Sequence, residues 1–119
     1  MRETTYVLAA EVAAGAGGYL KRAVRFSGRV DRVEIDFADG PRGTLHLVPV
    51  RLDSAQEQEQ PLVEFSDSGD QYIKGNKAVN LTYPSDIPVS PGQFVAIRYA
   101  NTGVAAHNVM ARVVVMSHG

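Results

Sequence analysis

The side chains of this chain that are best suited to metal binding are its three histidines, His46, His107 and His118. A metal site needs ligands that converge at about 2.0–2.2 Å, which histidines commonly achieve from positions two apart on a strand or four apart on a helix. No two of these histidines have either spacing, and the chain contains no cysteine. The sequence therefore predicts no metal site. We expect His46 to face solvent and His107 to be a polar residue at the exit of a hairpin turn.

Two carboxylates, Glu34 and Asp36, are close enough in sequence to suggest acid–base chemistry. They alternate with three apolar residues, Val33, Ile35 and Phe37. This alternation is typical of the solvated face of a strand, whereas glycoside hydrolysis needs two carboxyls that face each other across a cleft. The chain also lacks a GxSxG motif, and without cysteine it has no thiol nucleophile. We expect no catalytic residue and no enzymatic activity.

The segment GAGGYL, residues 15–20, resembles the start of a dinucleotide-binding fingerprint. That motif needs a third glycine where this chain has Leu20, and a helix long enough to cross back over the sheet. Residues 19–26 are too few and too rich in aromatic and β-branched types for such a helix. The glycines therefore predict a flexible turn, and no cofactor is expected.

The dominant period of the sequence is two, which indicates strands rather than helices. Gly- and Pro-rich turn signals recur every 8–15 residues, and no window predicts a helix of ten residues or more. We predict a single antiparallel β-sandwich, all-β and jelly-roll-like, with eight or nine short strands. The clearest strands are 30–37, 43–50, 94–100 and 108–116. The predicted core comprises Val33, Ile35, Phe37, Leu45, Leu47, Val95, Ile97, Val113 and Val115.

Two features complicate this pattern. The apolar positions change phase between Leu47 and Val48, next to Pro49, which predicts a bulge or a sheet edge there. The segment "PLVEF", residues 61–65, is a candidate short strand after the polar loop 53–60.

The domain organisation follows from length and from the glycine run. A chain of 119 residues is one domain. We divide it into residues 1–18, an N-terminal strand or arm with a Gly-rich hinge, and residues 19–119, the sandwich. The arm is expected to pair with its own sheet or with the edge of a neighbouring subunit.

Charge and hydropathy exclude several classes of partner. Twelve basic and thirteen acidic residues give a net charge of −1, without the basic excess of a nucleic-acid-binding protein. No apolar run approaches the roughly 20 residues of a membrane helix. Glu3 and Glu11 interrupt the N-terminal segment, so no signal peptide is predicted.

The two C-terminal strands carry apolar residues on both faces, which is unusual for a sheet with one wet face. One face is expected either to pack against the N-terminal segment or to meet another subunit. The candidate interface residues are Tyr6, Val7, Leu8, Phe94, Met110 and Met116.

Three stretches in order resemble small jelly-roll structural proteins of tailed phages, among them capsid decoration, spike-base and adhesion proteins. They are "VRFSGRVDRVEIDFADGPRGTLHLVPV", "GNKAVNLTYPSDIPVSPGQFVAIRYANTG" and "AAHNVMARVVVM", within residues 20–116. The resemblance implies a virion location and a non-enzymatic role in binding other virion or capsid subunits. It also implies a homo-oligomer, with a trimer favoured, and no membrane or nucleic-acid partner.

Two other functions stay open. The first alternative is a carbohydrate- or receptor-binding β-sandwich whose tyrosines stack on sugar rings; the second is a small-molecule enzyme on a β scaffold. An exposed pair of coplanar tyrosines would favour sugar binding. A broad apolar patch that carries Phe94, Met110 or Met116 would favour assembly.

Overall fold

The structure is a computed structural model, and it describes residues 2–37, 44–56, 58–63, 72–74 and 79–117. These residues form ten strands and no helix. The strands are β1 (Arg2–Val12), β2 (Gly17–Ala23), β3 (Gly28–Phe37), β4 (Leu45–Leu52), β5 (Glu59–Pro61), β6 (Ile73–Lys74), β7 (Val79–Pro84), β8 (Pro88–Val89), β9 (Phe94–Asn101) and β10 (His107–Ser117). Within these ranges, no helix is long and apolar enough to span a membrane.

The strands form two antiparallel sheets that pack as a sandwich. Sheet A has the order β1-β10-β3-β7, with β8 also paired to β3. Sheet B has the order β2-β9-β4-β5, with β6 also paired to β4. Successive long strands alternate between the sheets, which is the topology of a jelly roll. The predicted fold class is confirmed, with two of the ten strands only two residues long.

The strand boundaries follow the period-two pattern closely: the predicted strands 30–37, 94–100 and 108–116 lie within β3, β9 and β10. Of the predicted strand 43–50, residues 45–50 lie in β4, and residue 43 is outside the described residues. Strand β5 overlaps the predicted segment 61–65 only at Pro61, and the two residues that follow, Leu62 and Val63, are buried in the core. The part of that segment after Val63 lies outside the described residues.

The connection between β9 and β10 is not a hairpin turn. The two strands lie in different sheets, so residues 102–106 form an arch across one end of the sandwich. The prediction of a plain final hairpin is therefore wrong. His107 is nevertheless the first residue of β10, where the sequence placed it.

The inner faces of both sheets form one apolar core. All nine predicted core residues are buried, which confirms that prediction. Val30 and Val33 both face this core although they are three positions apart, because a bulge between Val114 and Val115 places an extra residue, Asp31, in β3.

Of the two alternatives predicted at Pro49, a bulge or a sheet edge, the bulge is absent. Strand β4 pairs with β9 without a register shift from Leu45 to Leu52. On its other side β4 pairs with two short strands, β5 and β6, and Pro49 lies between them. The missing N–H of proline is therefore not required by a ladder there, and the Pro49 carbonyl accepts a hydrogen bond from Leu62 N at 3.0 Å.

Asn101 joins the loops at the end of the sandwich that carries the β1–β2 and β9–β10 connections. Its side chain is buried: Nδ2 donates to the carbonyls of Val12 (3.2 Å) and Ala105 (2.9 Å), and Oδ1 accepts from Gly103 N (3.1 Å). Its main chain bonds Gly15 and Ala16 of the β1–β2 connection, both at 2.9 Å. One side chain and its backbone therefore tie both crossings together.

The N-terminal segment is a full strand of sheet A. Residues 2–12 pair with β10 along their whole length, from Arg2 opposite Ser117 to Val12 opposite His107. Tyr6 and Leu8 point into the core, and Tyr6 Oη accepts a hydrogen bond from Arg25 N at 3.2 Å. The glycine run forms a turn at residues 13–16, followed by β2, with φ +75° at Gly15.

Candidate functional site

The outer face of sheet A carries a network of ion pairs. Arg32 bonds Glu3 (3.3 Å), Asp31 (2.8 Å) and Glu34 (3.4 Å). The pKa of Arg32 is raised, and the largest cause is the hydrogen bond to Asp31. In the strand pairing, Val114 of β10 lies between Thr5 of β1 and Arg32 of β3. The Arg32 side chain therefore covers Val114 where it extends to Glu3.

Arg112 extends this network of ion pairs along the same face. Its guanidinium lies 3.0 Å from Asp36 and 3.6 Å from Glu34. Glu34 and Asp36 therefore serve as ion-pair partners on a partly wet face, not as two acids facing a cleft. This part of the face is charged, and Val7 and Met110 are exposed elsewhere on the same face.

The outer face of sheet B carries a second, smaller apolar cluster. Its buried members are Val48, Val50, Leu52 and Ala96, with Tyr72 and Phe94 packed against them. The sequence left two explanations for an apolar outer face on β9, the N-terminal segment or another subunit. The chain itself packs there, through β4 and Tyr72.

Side chains of the β4–β5 connection and of β5 reach across this face to the far edge of sheet B. Gln56, at φ +60°, accepts a hydrogen bond from Lys21 on β2, and Glu59 accepts one from the hydroxyl of Tyr19, also on β2. Lys21 Nζ also lies 5.7 Å from the centre of the Phe94 ring. Among the described residues, these contacts cover the part of sheet B nearest Phe94 and leave open the part around Tyr19 and Arg98, which are exposed.

Five side chains surround the open part, and we call them the Tyr19 cluster: Tyr19, His46, Glu59, Tyr72 and Arg98. They come from β2, β4, β5, the residue before β6, and β9. Arg98 Nη1 lies 2.5 Å from Glu59 Oε2, so one carboxylate holds both Arg98 and Tyr19. On the other side the His46 and Tyr72 rings stack with centroids 4.0 Å apart and planes at 16°.

A cavity of about 380 Å³ lies within the cluster. Tyr19, His46, Tyr72 and Arg98 line it together with four other residues: Gly18, Val48, Tyr99 and Ala100. It combines aromatic and apolar walls with a hydrogen-bonding guanidinium, which is the composition of a small-ligand site.

The Tyr19 hydroxyl donates a hydrogen bond to Glu59. Its hydrogen bond to Glu59 is the largest cause that raises its pKa above the ordinary tyrosine value, and burial and the negative charge of Glu59 act in the same direction. A nucleophilic tyrosine needs the opposite shift. The arrangement can therefore donate, accept and stack.

We expect Tyr19 to ionise above the ordinary pKa of about 10. Because folding raises this pKa, the stability it contributes is fully present below the unfolded pKa and is lost as pH rises through the folded one. The substitution Glu59→Gln should bring the pKa of Tyr19 back towards its ordinary value. Ultraviolet absorbance of the phenolate checks this, with Tyr19→Phe to identify the Tyr19 signal. An unchanged titration in Glu59→Gln would show that Glu59 does not set the pKa.

Two larger cavities lie beside the segment from Tyr83 to Pro88. The first, about 590 Å³, is lined by residues 60–63 and 83–87; the second, about 470 Å³, adjoins Arg29 and Met116. Burial raises the pKa of Tyr83 in the first. Ser85 borders both cavities, and its buried Oγ has no hydrogen-bond partner among the described residues. Neither combines a stacked aromatic pair with a charged hydrogen-bonding pair, so the Tyr19 cluster is the stronger candidate site.

The predicted interface residues do not form one patch. Tyr6 and Leu8 are in the core, while Val7 is exposed on the outer face of sheet A. Met110 and Met116 share that outer face with Val7, and Phe94 is half-buried on the outer face of sheet B. Whether any of these residues contacts a partner stays a prediction.

The sequence alone does not identify the residues of the Tyr19 cluster as a site. His46 was expected to face solvent, but it is half-buried in a stack with Tyr72. The sequence predicts a polar loop around Glu59, and its two hydrogen-bonding partners, Arg98 and Tyr19, are 39 and 40 positions away in the chain. The one available signal was the general one that tyrosines could form a sugar-binding face. Among the residues that the structure describes, no three acidic or histidine side chains come together as a possible metal site.

No protein-family model matches this chain, and no curated protein sequence matches it. Its fold is similar to that of solved structures. The carbohydrate-binding module CBM32 of AlyQ, solved in complex with 4,5-unsaturated mannuronic acid, is similar at a TM-score of 0.53 and 12% identity, over 88% of this chain and 75% of that chain. At this identity the likeness shows the fold alone, a jelly-roll-like sandwich.

Two other similar structures belong to larger proteins. The serine protease of Aeromonas sobria, solved with the chaperone ORF2, has a TM-score of 0.50 at 10% identity, over 99% of this chain and 28% of that chain. Infectious bursal disease virus of the Gx strain has a TM-score of 0.46 at 11% identity, over 100% of this chain and 34% of that chain. The chain thus spans about a third or less of each protein, and the viral likeness is too weak to carry an argument.

Proposed function

We propose that this protein is a non-catalytic module that binds a carbohydrate at the Tyr19 cluster. The observation that carries the proposal is one cavity lined by the Tyr19 ring, the His46–Tyr72 stack and Arg98, whose guanidinium is held by Glu59. Sugar binding is one of the alternative functions that the sequence leaves open, and this site is the reason to place it first.

The chemistry of the cluster matches that of a sugar. A pyranose ring presents C–H groups on its faces, which pack on aromatic rings, and hydroxyls on its edge, which both donate and accept hydrogen bonds. Tyr19 is 42% exposed, so its ring is available for such packing. The guanidinium of Arg98 lines the cavity and can donate to a sugar hydroxyl or carboxylate, and charge-assisted hydrogen bonds of this kind are the stronger ones.

The proposal of a non-catalytic role rests on the same groups. Glu59 is the one carboxylate in the cluster, and it is already held by Tyr19 and Arg98. Hydrolysis of a glycosidic bond uses two carboxyls placed on either side of that bond. Tyr19 has a raised pKa and does not replace the second acid as a nucleophile.

Fold similarity supports the choice of the first probe. The AlyQ module has the same sandwich fold and was solved with an unsaturated mannuronic acid. We therefore propose mannuronic acid oligosaccharides as the first ligands to test, with neutral oligosaccharides beside them, because the cavity offers both a guanidinium and aromatic surface.

Isothermal titration calorimetry with these oligosaccharides tests the proposal. We expect saturable binding by the full chain, and at least a tenfold weaker affinity in Arg98→Ala and in Tyr19→Ala, because each removes a contact worth about 1.5 kcal/mol or more. Arg29→Ala is the matched control, since Arg29 is an exposed arginine paired with Asp86 away from the site. Binding that Arg98→Ala and Tyr19→Ala leave unchanged would place the ligand elsewhere.

The second candidate function is assembly with other subunits of a virion, as the resemblance to phage structural proteins implies. The observation that favours it is the open outer edge of β1, an eleven-residue strand that pairs on one side only within the described residues. Under this candidate the chain binds particles of the phage that encodes it, and Tyr19-cluster variants bind them as well as the wild type does. Failure of the variants to bind the particle would instead assign attachment to the cluster.

A further inference from the structure

Strand β1 is the edge of sheet A, and one long side of it is open. Its other side is paired to β10 along all eleven residues. No strand in the part of the chain that the structure describes pairs with the open side. An edge of this kind presents a row of unpaired N–H and C=O groups that a second extended strand can satisfy.

The other sheet edges carry features that discourage such pairing. Strand β2 has two adjacent cations, Lys21 and Arg22. Strand β5 is three residues long and ends at Pro61, while β7 ends at Pro84 and β8 begins at Pro88. Charges, prolines and short strands are the usual protections of a natural sheet edge.

Strand β1 lacks these protections over its central part. Residues 4–10 contain no charge and no proline, and the pairing with β10 has no bulge. On the outer face Thr5, Val7 and Ala9 are exposed, and Val7 keeps 44% of its surface. Of the described edges, β1 is therefore the one that is long, regular and unguarded.

We propose that β1 pairs antiparallel with β1 of a second copy of this chain. A single unguarded edge favours this partner, because a twofold dimer uses the same edge on both subunits and leaves none open. Sheet A would then continue across the dimer, with Tyr6, Val7 and Leu8 at its centre. The Tyr19 cluster lies on sheet B, so this contact is separate from the proposed ligand site.

Charge narrows the registers available to the pair. Residues directly opposite each other must lie on the same face, so the centre falls on a residue and not between two. A centre at Val7 would place Glu3 opposite Glu11 twice, which is unfavourable. Centres at Tyr6 and at Leu8 avoid that contact, and we expect one of these two.

Sedimentation equilibrium of the full chain and of a double variant tests the dimer. The wild type should reach twice the monomer mass of 12.8 kDa as its concentration rises. The double variant Thr5→Glu with Val7→Glu places glutamates opposite each other, or opposite Glu11, in all three central registers. Its dissociation constant should rise at least tenfold. The control Ser54→Glu with Gln58→Glu adds the same charge to an exposed loop and should dimerise like the wild type.

Hydrogen–deuterium exchange of the wild type gives a second measurement that needs no variant. Amides of residues 2–12 that face the open edge should become protected as concentration rises. A wild type that stays monomeric, or whose β1 exchange is independent of concentration, would overturn the proposal. A double variant that is folded by circular dichroism and dimerises as tightly as the wild type would also overturn it.

Discussion

Replacing Asn101 with alanine should lower the free energy of unfolding by about 3 kcal/mol, because it removes a buried side chain that makes three hydrogen bonds to the backbone. The backbone groups in these bonds are the carbonyls of Val12 and Ala105 and the N–H of Gly103. Asn101 is 2% exposed, so water does not readily replace the side chain. Urea denaturation followed by circular dichroism measures the loss.

Two further variants sharpen this test. Asn108→Ala removes an exposed asparagine of β10 and should change the stability by no more than about 0.5 kcal/mol. Asn101→Asp keeps the size of the side chain but turns its donor into a second acceptor that faces two carbonyls, so it should destabilise at least as much as alanine. Wild-type stability in Asn101→Ala would show that the two crossings do not depend on this side chain.

Truncating Ile97 to alanine should cost about 2–5 kcal/mol, the range found for other buried aliphatic residues. Ile97 is fully buried in β9, with Leu20 on one neighbouring strand and Pro49 on the other. Because Ile97 lies between two paired strands, the sandwich has few ways to close the cavity that the truncation leaves. The lost transfer free energy of the removed atoms and the free-energy cost of the cavity therefore add. Thermal and urea unfolding measure the change.

Val104 gives the matched control for this truncation. It is fully exposed on the arch between β9 and β10, and Val104→Ala should leave the stability within about 0.5 kcal/mol of the wild type. A loss in Ile97→Ala that is as small as that of Val104→Ala would show that this side of β9 is not the core.

Local patterning is sufficient to predict the strands and their buried faces, because alternation and turn residues act over a few positions. Val33, Ile35 and Phe37 show this, since they are buried on β3 as their spacing predicts. The pattern does not reveal which sheet a strand joins. Residues 102–106 have the composition of a hairpin turn, yet they cross between sheets, because β1 and β2 pair with β10 and β9 respectively.

The candidate site depends on contacts that local patterning does not encode. Glu59 and Gln56 lie in a run of polar residues that is typical of a solvated loop, and they gain partners only when their side chains reach across sheet B. His46 is placed in a stack by Tyr72, which precedes a two-residue strand without a clear period of its own. The site thus arises from tertiary placement of residues that look ordinary in the sequence.

The most direct test of the central claim, carbohydrate binding at the Tyr19 cluster, is to map amide chemical shifts while an unsaturated mannuronic acid oligosaccharide is titrated into the labelled protein. Binding at the cluster should shift the amides of Gly18, Tyr19, Arg98 and Ala100, which line or adjoin the cavity. The amides of sheet A, such as those of Glu34 and Arg112, should stay in place. Shifts confined to residues 83–88, or none with either acidic or neutral oligosaccharides at millimolar concentration, would contradict the account.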